Sequence, residues 1–387
     1  MKVNMSTLTP LWTGGIEKNS DRIHAPGIMG SLRWWYEGII RGLGGYACNG
    51  HKSGDSLPSC SFDPKGDFQS QIKKICPVCR LFGCTGWRRQ FKLDISGLDG
   101  IPLFFWSSSK VYPMAGNWLW RIFGGQATGG TKSGRGQNVK FTFGVNTLWG
   151  KNGLIRVIRL SDKEQYLFEK LSLLFSMIDK WGSLAAKSQN GFGVVRFSNL
   201  DKESIRLGIS SIRSDIKNSI RTNNNKACFS FRDFFSNTYE IPSIQEYLKK
   251  GRTIGREADY LRFNNDFIPC AFDVRYKSSV KNPFTGMGQD FGMRPWFKDH
   301  GFDRKRVDFI FGTAKPETDE QRSAGKIGVS HLYREKKEDL FHLRVWGYLP
   351  ENNEEDRIDI EANINQFIYK MFPEARKIKT FDFNREL

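Results

Sequence analysis

Between Ser161 and Phe197 the apolar positions change period. Leu167, Leu171, Leu174, Phe175 and Ile178 recur at i, i+4, i+7, i+8 and i+11, one apolar face of an amphipathic helix. Ser161 and Glu164 stand three apart as in a capping box, which predicts the helix start at Ser161 and its stop near Gly182. Val194 to Phe197 then reads as a strand. A second helix is predicted from Ser31, with Leu32, Tyr36, Ile39, Ile40 and Leu43 as its buried face and Gly44-Gly45 as its stop. Alternation predicts strands at Val3-Met5-Thr7, Phe91-Leu93-Ile95, Val139-Phe141-Phe143-Val145 and Leu154 to Leu160. Past about Asn199 it predicts further strands at Cys270-Phe272-Val274-Tyr276, Ile327-Val329 and Phe341-Leu343-Val345. Ile360, Ile364, Phe367, Ile368 and Met371 give a last amphipathic helix.

A faint repeat joins the two halves. Gly30-Ser31-Leu32-Arg33-Trp34 precedes Leu81-Phe82-Gly83-Cys84-Thr85 and a strand, while Gly292-Met293-Arg294-Pro295-Trp296 precedes Ile310-Phe311-Gly312-Thr313-Ala314 and a strand. Two copies of one βαββαβ unit would produce this.

Several stretches carry candidate chemistry. The loop Ser183 to Gly193 holds Lys187, Ser188, Gln189 and Asn190 between a helix and a strand. Its glycines would let backbone N–H groups and a fixed cation face a polyanion, or it is an ordinary turn. A helix start beside Arg33, Trp34 and Trp35 could receive a phosphate; otherwise Arg33 pairs with Glu37 and the tryptophans are core. Gly124 to Gly136, with Lys132 and Arg135, lacks the second motif glycine of a P-loop, so nucleotide hydrolysis there is rejected. A basic hairpin touching an RNA backbone, or plain disorder, remains for it.

Cys76-Pro77-Val78-Cys79 is a C-x-x-C turn that lets two thiolates reach one tetrahedral zinc, with Cys48 and Cys60 to complete the set and Cys84 or His51 as alternates. No thioredoxin-like pattern surrounds it, which argues against a redox role. Inert buried cysteines are the other reading.

Composition narrows the partner. Of 387 residues, 59 are Lys or Arg and 41 Asp or Glu, a net charge of +18, and 14% are aromatic. Such a basic chain meets a polyanion, nucleic acid first. No stretch approaches the roughly 20 apolar residues of a membrane span. Seven cysteines without a secretory signal point to a reducing cytoplasm.

Thr9 to Gly14, Gly30 to Glu37 with Arg41 to Gly45, and Cys76 to Trp87 resemble the RAMP superfamily of CRISPR proteins, nearest to the subunit-one family of the type III-B (Cmr) effector complex. Lys187 to Gly193 is similar to that superfamily's glycine-rich signature. The resemblance implies an α+β chain of two tandem ferredoxin-like (RRM-like) domains with insertions. The first, residues 1–199, would hold the cysteine insertion (about 46–80) and the glycine-rich loop (182–193); the second would span 200–387. It implies guide (CRISPR) RNA, near its 3′ region, and target RNA as ligands, with other RAMP subunits alongside. RNA contact carries over to Arg33, Trp34, Arg41, Lys187, Gln189 and Asn190, with Gly191 and Gly193 as backbone positions. No catalysis is implied. The rival is a metal-independent guide-processing endoribonuclease using His24 as general base, though no second histidine or tyrosine partner is evident.

Overall fold

The computed structural model describes residues 1–14, 20–48, 59–109, 127–131, 139–220, 228–242, 244, 266–275, 292–313, 324–336, 340–349 and 354–387, without the side chains of 104–109, 127–131, 139–145, 273 and 354. The first half contains β1 (Lys2–Thr7), α1 (Ala25–Gly42), α2 (Phe68–Lys74), α3 (Pro77–Phe82) and β2 (Phe91–Ser96). β3 (Asp99–Ser109), β4 (Ala127–Thr131) and β5 (Val139–Trp149) follow, then β6 (Gly153–Arg159), α4 (Leu167–Trp181), β7 (Val195–Ser198) and α5 (Lys202–Lys217). The main sheet runs β2-β6-β1-β7 with every described pairing antiparallel. With α1 after β1 and α4 after β6, this is the split βαβ order of a ferredoxin-like module. β3, β5 and β4 form a separate three-stranded sheet inserted between β2 and β6.

The alternation in β1 has a direct cause. Val3, Met5 and Thr7 are buried in the core with α1 and α4, while Lys2 and Asn4 are exposed on the other face.

The second half contains β8 (Phe234–Ile241), β9 (Phe267–Ile268), α6 (Ala271–Arg275), α7 (Met293–Asp299) and α8 (Arg304–Phe311). After these come β10 (Ile327–Val329), β11 (Leu332–Tyr333), β12 (Phe341–Tyr348), α9 (Glu354–Met371), β13 (Arg376–Thr380) and α10 (Phe383–Glu386). The sheet order β13-β8-β12, with β10 and β11 both on the far side of β12, repeats the first module's order. The chain is therefore α+β, with the same split order twice.

The two modules stack in layers. Phe235, Tyr239, Leu343 and Val345 pack in the core with α7, α8 and α9. Their strand neighbours face the first module: the Ser236 hydroxyl donates to Trp181 O (2.9 Å), and Arg344 Nη1 donates to Gly182 O (2.7 Å). Trp346 and Phe234 join the first module's core. β8 and β12 are covered on both faces, so burial along them is nearly continuous and takes in polar residues such as Ser236, Asn237, Thr238 and Arg344.

Three expectations need correction. α1 begins at Ala25, not Ser31, because Pro26 in its first turn suits a helix start; Arg33, Trp34 and Trp35 are therefore mid-helix and lack free backbone N–H groups. α4 begins at Leu167, not Ser161. Glu164 turns instead to the buried Lys170 ammonium (2.6 Å), and the Ser161 hydroxyl accepts from Lys163 N–H (3.2 Å). The stretch read as strand at Cys270 to Tyr276 is the short helix α6 over its described residues. Among its described side chains Cys270, Ala271, Phe272, Val274 and Arg275 are all buried, so alternation of residue type marked no exposed face among them. Of the glycine-rich segment 124–136, residues 127–131 form strand β4, pairing with β5.

Candidate functional site

The cysteine cluster assembles from three separate pieces of chain. Cys48 follows the end of α1, Cys60 leads into the segment before α2, and Cys76 is the N-cap of α3, which carries Cys79. All four are buried, and their sulfurs lie within 4.8 Å of one another. Cys48 and Cys79 Sγ are 3.4 Å apart, and Cys48 and Cys76 Sγ 3.8 Å. A tetrahedral zinc with Zn–S near 2.3 Å holds its sulfurs about 3.8 Å apart, so the set fits such an ion. Cys76 N–H donates to Cys60 Sγ (3.3 Å) and Cys79 N–H to Cys76 Sγ (3.5 Å), bonds that favour thiolate. Hydrogen bonds from Cys60, then Cys76 and Cys79, pull the Cys48 thiol far below its ordinary pKa, while the other three are pushed up. Cys84, the sequence alternate, is half-buried and outside the group of four. His51 lies outside the described residues.

The side chains on α1 assigned to RNA turn inward. Arg33 is a three-way tie: Nε donates to Glu37 (3.1 Å), Nη1 to Gly83 O (3.1 Å), and Nη2 points at Cys79 Sγ (3.5 Å) and Cys48 Sγ (3.9 Å). Arg41 is buried, donating to Phe229 O (3.1 Å), Ala47 O (3.2 Å) and Glu37 (3.4 Å). Trp34 stacks face to face on Phe229 (centroids 4.0 Å, planes 10° apart) within a cluster that includes Trp35, Phe234 and Trp346. That ring face is therefore not presented to a base. The cause is the second sheet, which lies over α1.

The glycine-rich loop sits at the same junction. Gln189 Nε2 donates to Gly325 O, and His331 N–H donates to Gly191 O (3.3 Å). Asn190, Gly191 and Gly193 are buried. Gly191 has φ +100°, and a Cβ there would lie 2.6 Å from both the Ala271 methyl and the His331 ring; at Gly193 (φ +83°) it would collide with Leu184 O. Gly191 thus admits the second module, and Gly193 the close pass of the first module's own backbone at Leu184; both are filled by protein rather than open to a phosphate. Lys187 is half-buried, in left-handed backbone at φ +59°. Lys132 and Arg135 lie outside the described residues.

His24 is the N-cap of α1, and its Nε2 lies 3.0 Å from the exposed Asp21 carboxylate. Sequence reasoning missed three buried or half-buried polar features. Lys170 bonds both Glu164 and Asp215 (2.5 Å), tying α5 to α4. His331 is wholly buried, and its Nδ1 accepts from Ala271 N–H (3.2 Å); burial drops its pKa to about 3. Arg294 donates to Gly312 O (2.7 Å) and Asp308, repeating in the second module the tie of Arg33 to Gly83 O. The signal for that last one was present in the repeat, an arginine in one segment and Phe-Gly in the next.

Two stacked split-βαβ modules, the first with a four-cysteine insertion, define the class. Residues 4–196 match the family model described as the RAMP superfamily, and through that module the chain belongs to the RAMP superfamily. Among solved structures it is similar to Cmr1 from Pyrococcus furiosus in its apo form, with 12% identity, 97% of each chain covered and a TM-score of 0.40. No curated protein matches it. Among the described residues no helix is long and apolar enough to cross a membrane.

Proposed function

We propose that the chain is a non-catalytic RNA-binding subunit of a type III-B CRISPR (Cmr) RNA-targeting complex, in antiviral defence in the cytoplasm. It would touch guide RNA near its 3′ region, target RNA, or both, beside other RAMP subunits. The observation that carries this reading is the RAMP match over residues 4–196. The net charge of +18 supports it.

With Arg33, Trp34 and Arg41 turned inward, the open face of the first sheet offers the better contact surface. Lys2, Lys92 and Arg156 share it, since Lys2 and Asp94 both pair in register with Arg156 and Lys92 lies two residues from Asp94. All three cations are exposed, and among the described residues Arg156 meets one acidic partner, Asp94 at 2.7 Å. The face carries no aromatic ring among its described residues. It suits phosphate contact without base reading, as a holder of guides of any sequence needs.

The test is binding of labelled single-stranded guide RNA across a salt series. Lys2→Ala/Lys92→Ala/Arg156→Ala should weaken binding and lower the salt slope by about 2, at roughly 0.7 for each phosphate left without its cation. An unaltered slope with unaltered affinity sinks this surface.

One observation favours the endoribonuclease reading, the Asp21 carboxylate that orients the His24 ring. Labelled repeat RNA cut by the wild type and spared by His24→Ala would establish it. RNA left whole by both supports the binder.

The four cysteines fit a structural zinc that pins the insertion to α1 and contributes folding energy without taking part in a reaction. Metal analysis of chelator-washed protein should find one zinc in the wild type and none in Cys76→Ser/Cys79→Ser.

A further inference from the structure

We infer that Arg33 is the outer-sphere counter-ion of the four-cysteine centre, a positioning residue for bound zinc and not a phosphate ligand; this rests on the zinc reading above.

The two modules supply the argument, because they contain the same arginine twice. Arg33 Nη1 donates to the carbonyl of Gly83, which follows Leu81-Phe82 at the end of α3. Arg294 Nη1 donates to the carbonyl of Gly312, which follows Ile310-Phe311 at the end of α8. The two glycines have nearly the same backbone angles, φ +89° and ψ 159° against φ +86° and ψ 157°. The corresponding Nη2 atoms differ only in partner. In the second module Nη2 meets the Asp308 carboxylate; in the first it meets the sulfurs of Cys79 and Cys48 at 3.5 and 3.9 Å. Sulfur stands where the sister module has an anion.

Neutral thiols would leave that half-buried guanidinium nitrogen with weak acceptors, whereas metal-bound thiolates are strong ones. The need is reciprocal. Zinc with four thiolates carries a formal charge of −2 in a buried site, and an uncompensated buried charge is costly. Among the described residues Arg33 is the cation whose hydrogen bonds reach the sulfurs, and Glu37 locks its Nε so that Nη2 keeps its aim. Partners of this kind set how tightly a metal is held.

The experiment measures zinc affinity of the full chain by competition with a chromogenic chelator. Arg33→Gln should raise the zinc dissociation constant about ten- to hundred-fold. Arg33→Lys, which keeps the charge but cannot span three acceptors, should fall between it and the wild type. Arg294→Gln, which removes the sister tie away from the cysteines, should leave zinc affinity unchanged. With zinc saturating, the salt slope of RNA binding by Arg33→Gln should equal that of the wild type. Should the glutamine variant fail to fold, Arg33→Lys carries the same comparison. Wild-type zinc affinity in Arg33→Gln, an Arg294→Gln loss equal to it, or a lowered RNA slope would each overturn the proposal. A wild type that holds no more zinc than Cys76→Ser/Cys79→Ser would instead bring down the zinc reading itself, and the proposal with it.

Discussion

Gly191 separates two accounts of the glycine-rich loop. If its backbone faces RNA, adding a methyl group leaves the fold intact and weakens binding. If it admits the second module, the methyl group costs stability directly. Gly44 provides the calibration, because it also has positive φ (+87°) but nothing lies within 4 Å of a Cβ placed there. Gly44→Ala should therefore carry only the backbone cost of a left-handed residue, about 1 kcal/mol. Gly191→Ala, at φ +100°, carries that cost and also drives a methyl to 2.6 Å from the Ala271 methyl and the His331 ring. Overpacking of a filled interior adds about 1–3 kcal/mol, for a total of about 2–4 kcal/mol. Ala271 is pinned because its N–H donates to His331 Nδ1 (3.2 Å), so the junction cannot yield freely. Urea unfolding of both variants, followed by tryptophan fluorescence, measures the difference. If Gly191→Ala is no less stable than Gly44→Ala, the packing account of the loop is refuted.

Lys170→Met leaves the Glu164 and Asp215 carboxylates facing each other without the buried ammonium. It should cost about 3–5 kcal/mol in urea unfolding, most of it recovered when Glu164→Gln and Asp215→Asn are added; no recovery would mean that the lysine stem rather than its charge matters. His331 gives a pH signature. Burial alone depresses its pKa to about 3 against 6.5 for an open chain, so below pH 6.5 the unfolded chain takes up a proton that the native ring refuses. Stability from this source is whole above pH 6.5 and falls as pH drops toward 3, by about 2 kcal/mol between pH 7 and pH 5. His331→Gln should flatten that part of the stability–pH curve, and an unchanged curve would count against the assignment.

The α+β class was legible because one sheet keeps an open face: β1 shows alternation only because water lies on one side of Lys2 and Asn4. The repeat was legible for a sharper reason. Each module needs an arginine, Arg33 or Arg294, on a helix that precedes a Phe-Gly turn, so the pattern records a hydrogen bond rather than a composition. The four cysteines could be grouped from one C-x-x-C pair, since a tetrahedral site needs two more ligands from anywhere nearby.

What could not be read was which surfaces the second module would cover. Arg33, Trp34, Arg41 and the 187–193 loop have the residue types of an RNA surface, yet Trp34 stacks on Phe229 and Arg41 reaches Phe229 O, about 190 residues further along the chain. Local sequence reports a residue's chemistry, whereas its exposure depends on long-range stacking. Arginine and tryptophan are ambiguous in this respect, because both bury large flat surfaces and both bind nucleic acid. Lys2 and Lys92 were passed over for the converse reason: isolated lysines on alternating strands look like ordinary solvated positions until β6 brings Arg156 between them. The candidate RNA surface thus comes from strand order, which no local motif encodes.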